Sequence, residues 1–113
     1  MKSYTDLEQS KKLAEILPIE SADMWYSIVD NEAFICLKHH NEYEQIPCWS
    51  LASLLNYLKS KDKFPEIKEL RDGRFKLATY IWDGKDCIQV SIGDSIVDAC
   101  YELILKLNEL NLL

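Results

Sequence analysis

Cys48 and the two histidines, His39 and His40, are the residues of this sequence most capable of chemistry. Pro47 suits the first turn of a helix, which would place Cys48 at a helix N-terminus, where unpaired amides and the helix dipole favour a thiolate. A histidine within reach would act as its base. However, Cys48 would share its helical face with Leu51, which favours burial of the thiol as a small hydrophobic group. We expect no catalytic residue here.

The same histidines are close in sequence to Glu42 and Glu44, and imidazole with carboxylate suits zinc, nickel or copper. Adjacent side chains of an extended segment point in opposite directions, so one ion would not reach both His39 and His40. Structural zinc would need paired cysteines such as C-x-x-C, which are absent from the sequence. We therefore expect a solvated loop here, with no metal and no cofactor.

A helix and a hairpin are predicted at the start of the chain. Thr5-Asp-Leu-Glu8 has the form of a capping box, and apolar residues at helical spacing follow it as far as Leu17. Pro18 ends this helix because proline cannot continue the α conformation. β-branched and aromatic residues in 25–29 and 33–37 then predict two strands joined by a tight turn.

A second helix is predicted to begin at Pro47 and to bury a leucine-rich face as far as Leu58. The polar residues 39–45 before it are expected to form a loop. After it, 64–70 is predicted to add a short helical turn with Ile67 and Leu70 facing inward.

The segment from Arg74 to Ile92 contains the clearest local signal, because Asp83-Gly84 favours a two-residue type I′ hairpin turn. Such a turn pairs Leu77 with Val90 and Phe75 with Ile92, so these apolar side chains would share one face. The opposite face would then carry Lys76, Ala78, Tyr80, Trp82, Cys87, Gln89 and Ser91.

The last helix is predicted from Ile96 to about Leu110, with Asp94 or Ser95 as its cap. Its apolar residues extend almost all the way round, which is typical of a helix buried on more than one side. The fold class is therefore α+β: an antiparallel sheet from two hairpins packed with three main helices, in the order α-ββ-α-ββ-α. We expect a single domain over residues 1–113.

Tyr80 and Trp82, with Lys85 and Gln89 around them, have the composition of a binding hot spot, in which aromatic anchors lie within a polar rim. The alternative is that the first hairpin or the first helix covers these rings, because aromatic residues are common in cores and interfaces alike.

Composition narrows the functional class. The formal net charge is −6, although residues 59–76 hold seven basic against four acidic residues and are locally net +3. Nucleic-acid binding is not expected as the main activity, because counterion release requires a positive face. The first ten residues lack the apolar stretch of a secretion signal, and the four cysteines are dispersed among apolar residues, so we expect a cytoplasmic protein with reduced thiols.

Three segments together resemble a group of short bacterial proteins from gut Bacteroides and their prophages or mobile elements. These segments are 20–24 before the first strand, 47–51 at the predicted second helix, and 97–113 at the end. The resemblance implies a bacterial cytoplasmic setting. It carries no activity, and no residue inherits a role from it.

The sequence thus predicts a non-enzymatic accessory protein that acts through the Tyr80 and Trp82 face or through a homodimer contact. Two alternatives remain. One is a small ligand-binding or cysteine-dependent enzyme with its site near Cys48, and the other is an acidic inhibitor that mimics nucleic acid, which would require carboxylates clustered on one face.

Overall fold

The computed structural model describes residues 2–40, 44–82 and 86–113, with residues 81, 82 and 86–88 described by their backbone. Over these residues the chain forms three α-helices and two three-stranded antiparallel sheets, which confirms the predicted α+β class. In chain order the elements are α1 (Leu7–Ala14), β1 (Met24–Val29), β2 (Glu32–Cys36), β3 (Glu44–Cys48), α2 (Leu51–Ser60), β4 (Glu66–Glu69), β5 (Phe75–Trp82), β6 (Asp86–Gly93) and α3 (Ile96–Glu109). A 3₁₀ turn at Ile19–Ser21 links α1 to β1.

Helix α1 begins one residue later than the sequence predicts, and it ends at Ala14 rather than at Leu17. Asp6 is the N-cap, and it forms the capping box with Gln9: the Gln9 amide donates to the Asp6 carboxylate at 2.8 Å, and the Gln9 side chain accepts from the Asp6 amide. Thr5, predicted as the cap, is buried instead. A capping box joins residues three apart, and both Thr5 with Glu8 and Asp6 with Gln9 have this spacing. The structure uses Asp6 with Gln9.

The first sheet has the strand order β2-β1-β3. Its hairpin is the predicted one, and its turn residues Asp30 and Asn31 both adopt the left-handed conformation, with φ of 51° and 64°. Strand β3 was not predicted. The second helix was predicted to begin at Pro47, but Pro47 lies in β3, opposite Trp25 of β1. Proline is tolerated there because β3 is an edge strand of this sheet.

Helix α2 begins at Leu51 because Ser50 is its cap. The Ser50 hydroxyl accepts a hydrogen bond from the Ser53 amide at 3.1 Å, and the Asp23 carboxylate accepts from the Ser50 amide at 2.9 Å. This side-chain capping starts the helix four residues after Pro47 and leaves Cys48 outside it.

The second sheet has the strand order β4-β5-β6. Strand β4 replaces the predicted helical turn over 64–70, so that prediction was wrong: Ile67 lies opposite Leu77 of β5. The two predicted hairpins thus lie in two separate sheets, and each sheet gains one strand.

The predicted register of β5 and β6 was wrong by one residue. Leu77 lies opposite Ser91 rather than Val90, and Phe75 lies opposite Gly93. The reason is the length of the connection: three residues, 83–85, separate the two strands, whereas a two-residue turn was predicted. The predicted Asp83-Gly84 turn itself falls outside the described residues.

Helix α3 is the central support, as the sequence predicts, and Ser95 is its cap. It packs against β5, β6 and α2. Its fully buried apolar residues are Val97, Ala99, Cys100, Leu103, Ile104 and Leu107. Within the described ranges, none of the helices combines the length and the apolar character needed to span a bilayer.

Candidate interaction surface

The two faces of the second sheet have different environments. On the inner face, Leu77, Thr79 and Ser91 are each at most 1% exposed. The Ser91 hydroxyl donates to the Ala99 carbonyl of α3 at 2.7 Å, which ties the strand to the helix. This face is therefore the one that helix α3 covers.

The outer face presents an apolar surface, which we call the open face. Tyr80 is 56% exposed and Ile92 is 43% exposed. Ala78 and Val90, which lie opposite one another on β5 and β6, are half-buried between them. The open face is defined by Lys76, Ala78, Tyr80, Val90 and Ile92.

Strand β4 continues the open face with charged residues. Glu66 lies opposite Ala78, and Lys68 lies opposite Lys76, around a shallow depression of about 80 Å³. The apolar residues of the open face are thus bordered by the ammonium groups of Lys68 and Lys76 and by the Glu66 carboxylate.

The corrected register changes the composition of this face. Val90 and Ile92, which were predicted to lie with Leu77, lie on the side of Tyr80 instead. Gln89 lies opposite the buried Thr79, so it does not share the face of Tyr80 as predicted. The open face is consequently more apolar than the sequence indicated.

Two other residues were predicted to belong to the interface, Trp82 and Lys85. Trp82 lies at the end of β5 by its backbone, and Lys85 falls outside the described residues. Their membership of an interface stays a prediction, and Tyr80 is the predicted residue that the structure places on the open face.

The small residue Gly93 sets the distance between β6 and α3. A Cβ atom at this position would lie 2.4 Å from the Ala99 nitrogen and 2.7 Å from the Asp98 carbonyl carbon. The sheet and the helix therefore approach at backbone contact, and only glycine fits between them.

Cys48 has the environment of a structural thiol. It is fully buried at the end of β3, and its sulfur donates to the Thr5 carbonyl at 3.4 Å. Burial raises the pKa of Cys48, although hydrogen bonds from Thr5 and Ser10 oppose the shift. Burial also raises the pKa of Cys100, to about 12. Both shifts disfavour the thiolate that a nucleophile requires.

The histidines are held by contacts of their own. The His39 ring stacks on Trp25, with 4.3 Å between the ring centroids, and the His40 amide donates to the Gln45 side chain at 2.7 Å. Across residues 2–40, 44–82 and 86–113, no group of three or more His, Cys, Asp or Glu side chains is arranged to hold a metal ion. Glu42 of the predicted cluster lies outside these ranges.

A second surface feature joins the N-terminal segment to α3. Lys2 forms an ion pair with Asp98 at 2.6 Å and a weaker one with Asp6 at 3.2 Å. These residues line a depression of about 480 Å³ that also contains Arg74 and Glu102. Among the described residues, two cations and four carboxylates line this depression, so both signs of charge are present there.

Burial alone would raise the pKa of Asp98, but hydrogen bonds from Lys2, Gln9 and Ser95 outweigh it and hold the pKa below its ordinary value. Asp98 therefore links α3 to the N-terminal segment as a charged group.

Comparisons with protein-family models, with curated proteins and with solved structures find no match to this chain. The function proposed below therefore rests on the open face.

Proposed function

We propose that this chain is a non-enzymatic interaction protein that binds a protein partner through the open face. The observation that supports this is the pair of exposed residues Tyr80 and Ile92 with Ala78 and Val90 contiguous between them. Isolated exposed hydrophobic residues are ordinary, but a contiguous apolar face with an aromatic anchor is typical of an interface.

The charges beside the open face indicate the chemistry of the partner. Lys68 and Lys76 belong to the 59–76 segment, which is net +3 in a chain of net charge −6. We infer that the partner surface is apolar at its centre and acidic at its rim. Complementary rim charges act mainly on the association rate, so binding should weaken as salt is added.

The proposed setting is the bacterial cytoplasm. Its support is the resemblance of 20–24, 47–51 and 97–113 to short proteins of gut Bacteroides, together with Cys36, Cys48 and Cys100, which are free thiols in the structure. Free buried cysteines are typical of a reducing compartment. The cysteine-dependent alternative has no comparable support, because Cys48 has no exposed surface.

The test removes the apolar side chains of the open face while keeping strand propensity. In the double variant Tyr80→Thr/Ile92→Thr, stability should change by no more than about 0.5 kcal/mol per substitution, because both side chains are surface groups. A partner first captured from the native host and then purified should bind this variant at least about tenfold more weakly in calorimetric titration, since interface anchors cost more than about 1 kcal/mol when truncated.

Phe34→Thr is the matched control, since Phe34 is a strand residue of the first sheet and is 51% exposed. This control should bind the partner as the natural chain does. Equal loss of binding in both variants, or undiminished binding in the double variant, would refute the proposal. A large fall in the melting temperature of the double variant would show instead that Tyr80 and Ile92 are core residues.

A further inference from the structure

Strand β4 has an open edge with a defined set of hydrogen-bonding groups. The Leu70 amide donates to the Arg74 carbonyl at 2.7 Å, which identifies this pair as a hydrogen-bonded one. Hydrogen-bonded and non-bonded pairs alternate along an antiparallel ladder. The amides and carbonyls of Lys68 and Glu66 therefore point towards β5, and those of Ile67 and Glu69 point away from the sheet.

The opposite edge of this sheet is strand β6, and there a side chain occupies an outward backbone group. By the same alternation the carbonyl of Val90 in β6 points away from β5, and the Lys106 ammonium of α3 donates a hydrogen bond to it. A lysine at a strand edge is a common device against unwanted pairing. In the described part of the chain, no side chain covers the Ile67 and Glu69 groups of β4 in this way.

We propose that β4 pairs antiparallel with β4 of a second copy of this chain, with Ile67 opposite its counterpart on a twofold axis. The two Ile67 residues would then exchange two backbone hydrogen bonds, and each Glu69 amide would reach the Pro65 carbonyl of the other copy. Two three-stranded sheets would become one sheet of six strands. This contact is made through the outward backbone groups of β4, so it does not depend on the proposed function, although Glu66 and Lys68 also border the open face.

The charges of β4 favour this register over its neighbours. With Ile67 opposite Ile67, each Glu66 lies opposite a Lys68 of the second copy, so both cross-strand pairs are attractive. A shift of two residues one way would place Lys68 opposite Lys68, and a shift the other way would place Glu66 opposite Glu66. A shift of one residue would place Ile67 opposite Lys68 of the second copy. The backbone groups of Lys68 point towards β5, so the two residues could not form hydrogen bonds with each other. One register is thus self-complementary in both charge and hydrogen bonding.

Exposed apolar side chains lie where the contact would cover them. Ile67 is 44% exposed and Phe64 is 60% exposed. In the proposed register Phe64 would lie opposite Leu70 of the second copy. Because four-residue strands bury little area, the contact belongs to the class of small, transient interfaces, and the dimer is expected at high protein concentration.

The test measures dimerisation by sedimentation velocity over a concentration series. Lys68→Glu would place a carboxylate opposite Glu66 of the second copy at two symmetric positions, and it should weaken dimerisation roughly tenfold. Within one copy Lys68 lies opposite Lys76, so the same substitution relieves a like-charge pair and should not lower the melting temperature. Glu66→Lys should weaken the dimer similarly.

The double variant Glu66→Lys/Lys68→Glu is the matched control, because it exchanges the charges and restores both attractive pairs. It should dimerise about as well as the natural chain. A double variant as weak as the single variants, single variants that dimerise normally, or a chain that stays monomeric at the highest concentration would each overturn the proposal.

Amide hydrogen exchange locates the contact independently of mutation. The amides of Ile67 and Glu69 should become protected as the protein concentration rises, whereas the Lys68 amide, already bonded to β5, should be equally protected at every concentration. Dimerisation without added protection at Ile67 and Glu69 would place the contact elsewhere and contradict the pairing of β4.

Discussion

Thr5 shows how one buried residue connects three parts of this fold. Its side chain accepts a hydrogen bond from the Trp49 amide at 3.1 Å and is hydrogen-bonded to the Ser10 hydroxyl at 2.8 Å. Its carbonyl accepts from the Tyr26 hydroxyl at 2.9 Å. Burial raises the pKa of Tyr26 to about 12, so this donor keeps its proton at physiological pH. A residue predicted as a helix cap thus joins α1 to the first sheet.

Asp98 provides a pH-dependent test at the residue scale. Because its folded-state pKa is lowered, its charge stabilises the fold above the ordinary carboxyl pKa of 3.8, and this contribution is lost as the pH falls through the folded-state value. Asp98→Asn should therefore cost about 1 kcal/mol of unfolding free energy at neutral pH. The difference from the natural chain should shrink below pH 3.8 in urea titrations.

Asp94→Asn removes the same charge from the rim of the same depression, where Asp94 is exposed. This control should alter the unfolding free energy by less than about 0.5 kcal/mol. If Asp98→Asn behaves like the control at neutral pH, the Lys2 ion pair contributes nothing measurable to stability.

At the scale of elements, strands β3 and β4 mark the limit of what the sequence could predict. The Glu-Ile-Lys-Glu sequence of β4 has no strong alternation, and all four residues are exposed. Its strand conformation comes from backbone pairing with β5 across the short connection 70–74, rather than from a local preference of these four residues. By contrast, α3 and the hairpin of β1 and β2 were predictable because periodicity, caps and turn residues lie within each segment.

The candidate surface was predictable in part for a related reason. Tyr80 was predicted to lie on the face opposite Leu77 because side chains alternate along β5, which is a local property, but whether that face is covered was left open. Which residues of β6 lie beside Tyr80 depends on the register, and three rather than two residues between the strands change all of them. The small residues Ser91 and Gly93 were the available signal, since they fit the close approach of α3.

The approach of β6 to α3 gives a prediction at this scale. Gly93→Ala would force a Cβ atom against backbone atoms of Asp98 and Ala99 that cannot rotate away. We expect a loss of about 2–3 kcal/mol of unfolding free energy, as for an overpacked core, measured by urea denaturation.

Gly73→Ala provides the comparison for this variant. Gly73 has φ of +88° and no atom within 4 Å of an added Cβ, so alanine there incurs the backbone cost alone, about 1 kcal/mol. A Gly93→Ala variant no less stable than Gly73→Ala would mean that α3 does not press on β6 as described.

At the scale of the whole molecule, the core is unevenly distributed. Among the residues whose side chains the structure describes, the buried apolar cluster has thirteen members, which come from the three helices, from β5 and from the segments that flank α1 and α2; none of them lies in β1, β2 or β3. The molecule measures 49 × 32 × 19 Å and exposes 7209 Å², against about 6,400 Å² expected for a chain of this mass. The first sheet thus contributes nothing to this cluster, although Tyr26 of β1 and Cys48 of β3 are buried.

This distribution predicts a gradient of local stability. The β2 amides that bond to β1 should exchange with solvent deuterium faster than the β5 amides that bond to β6, because opening the first hairpin exposes less buried apolar surface. Native-state exchange followed by NMR measures both sets in one sample. Leu103→Ala, a core truncation that should cost about 2–5 kcal/mol, should accelerate exchange in β5 more than in β2.

Uniform acceleration of both strands by Leu103→Ala would contradict this expectation and would show that the two sheets unfold as one cooperative unit. Slower exchange in β2 than in β5 in the natural chain would contradict it as well.

The ammonium of Lys106 over the Val90 carbonyl has a consequence for assembly. A sheet can grow into a fibril when both of its outer strands accept further strands, and in the second sheet the Lys106 ammonium occupies the outward carbonyl of Val90 on β6. In the proposed pair both β4 strands are occupied, so the outer strands of the joined six-stranded sheet are the two β6 strands. Lys106 would therefore oppose the addition of a further strand at the Val90 carbonyl of each outer strand.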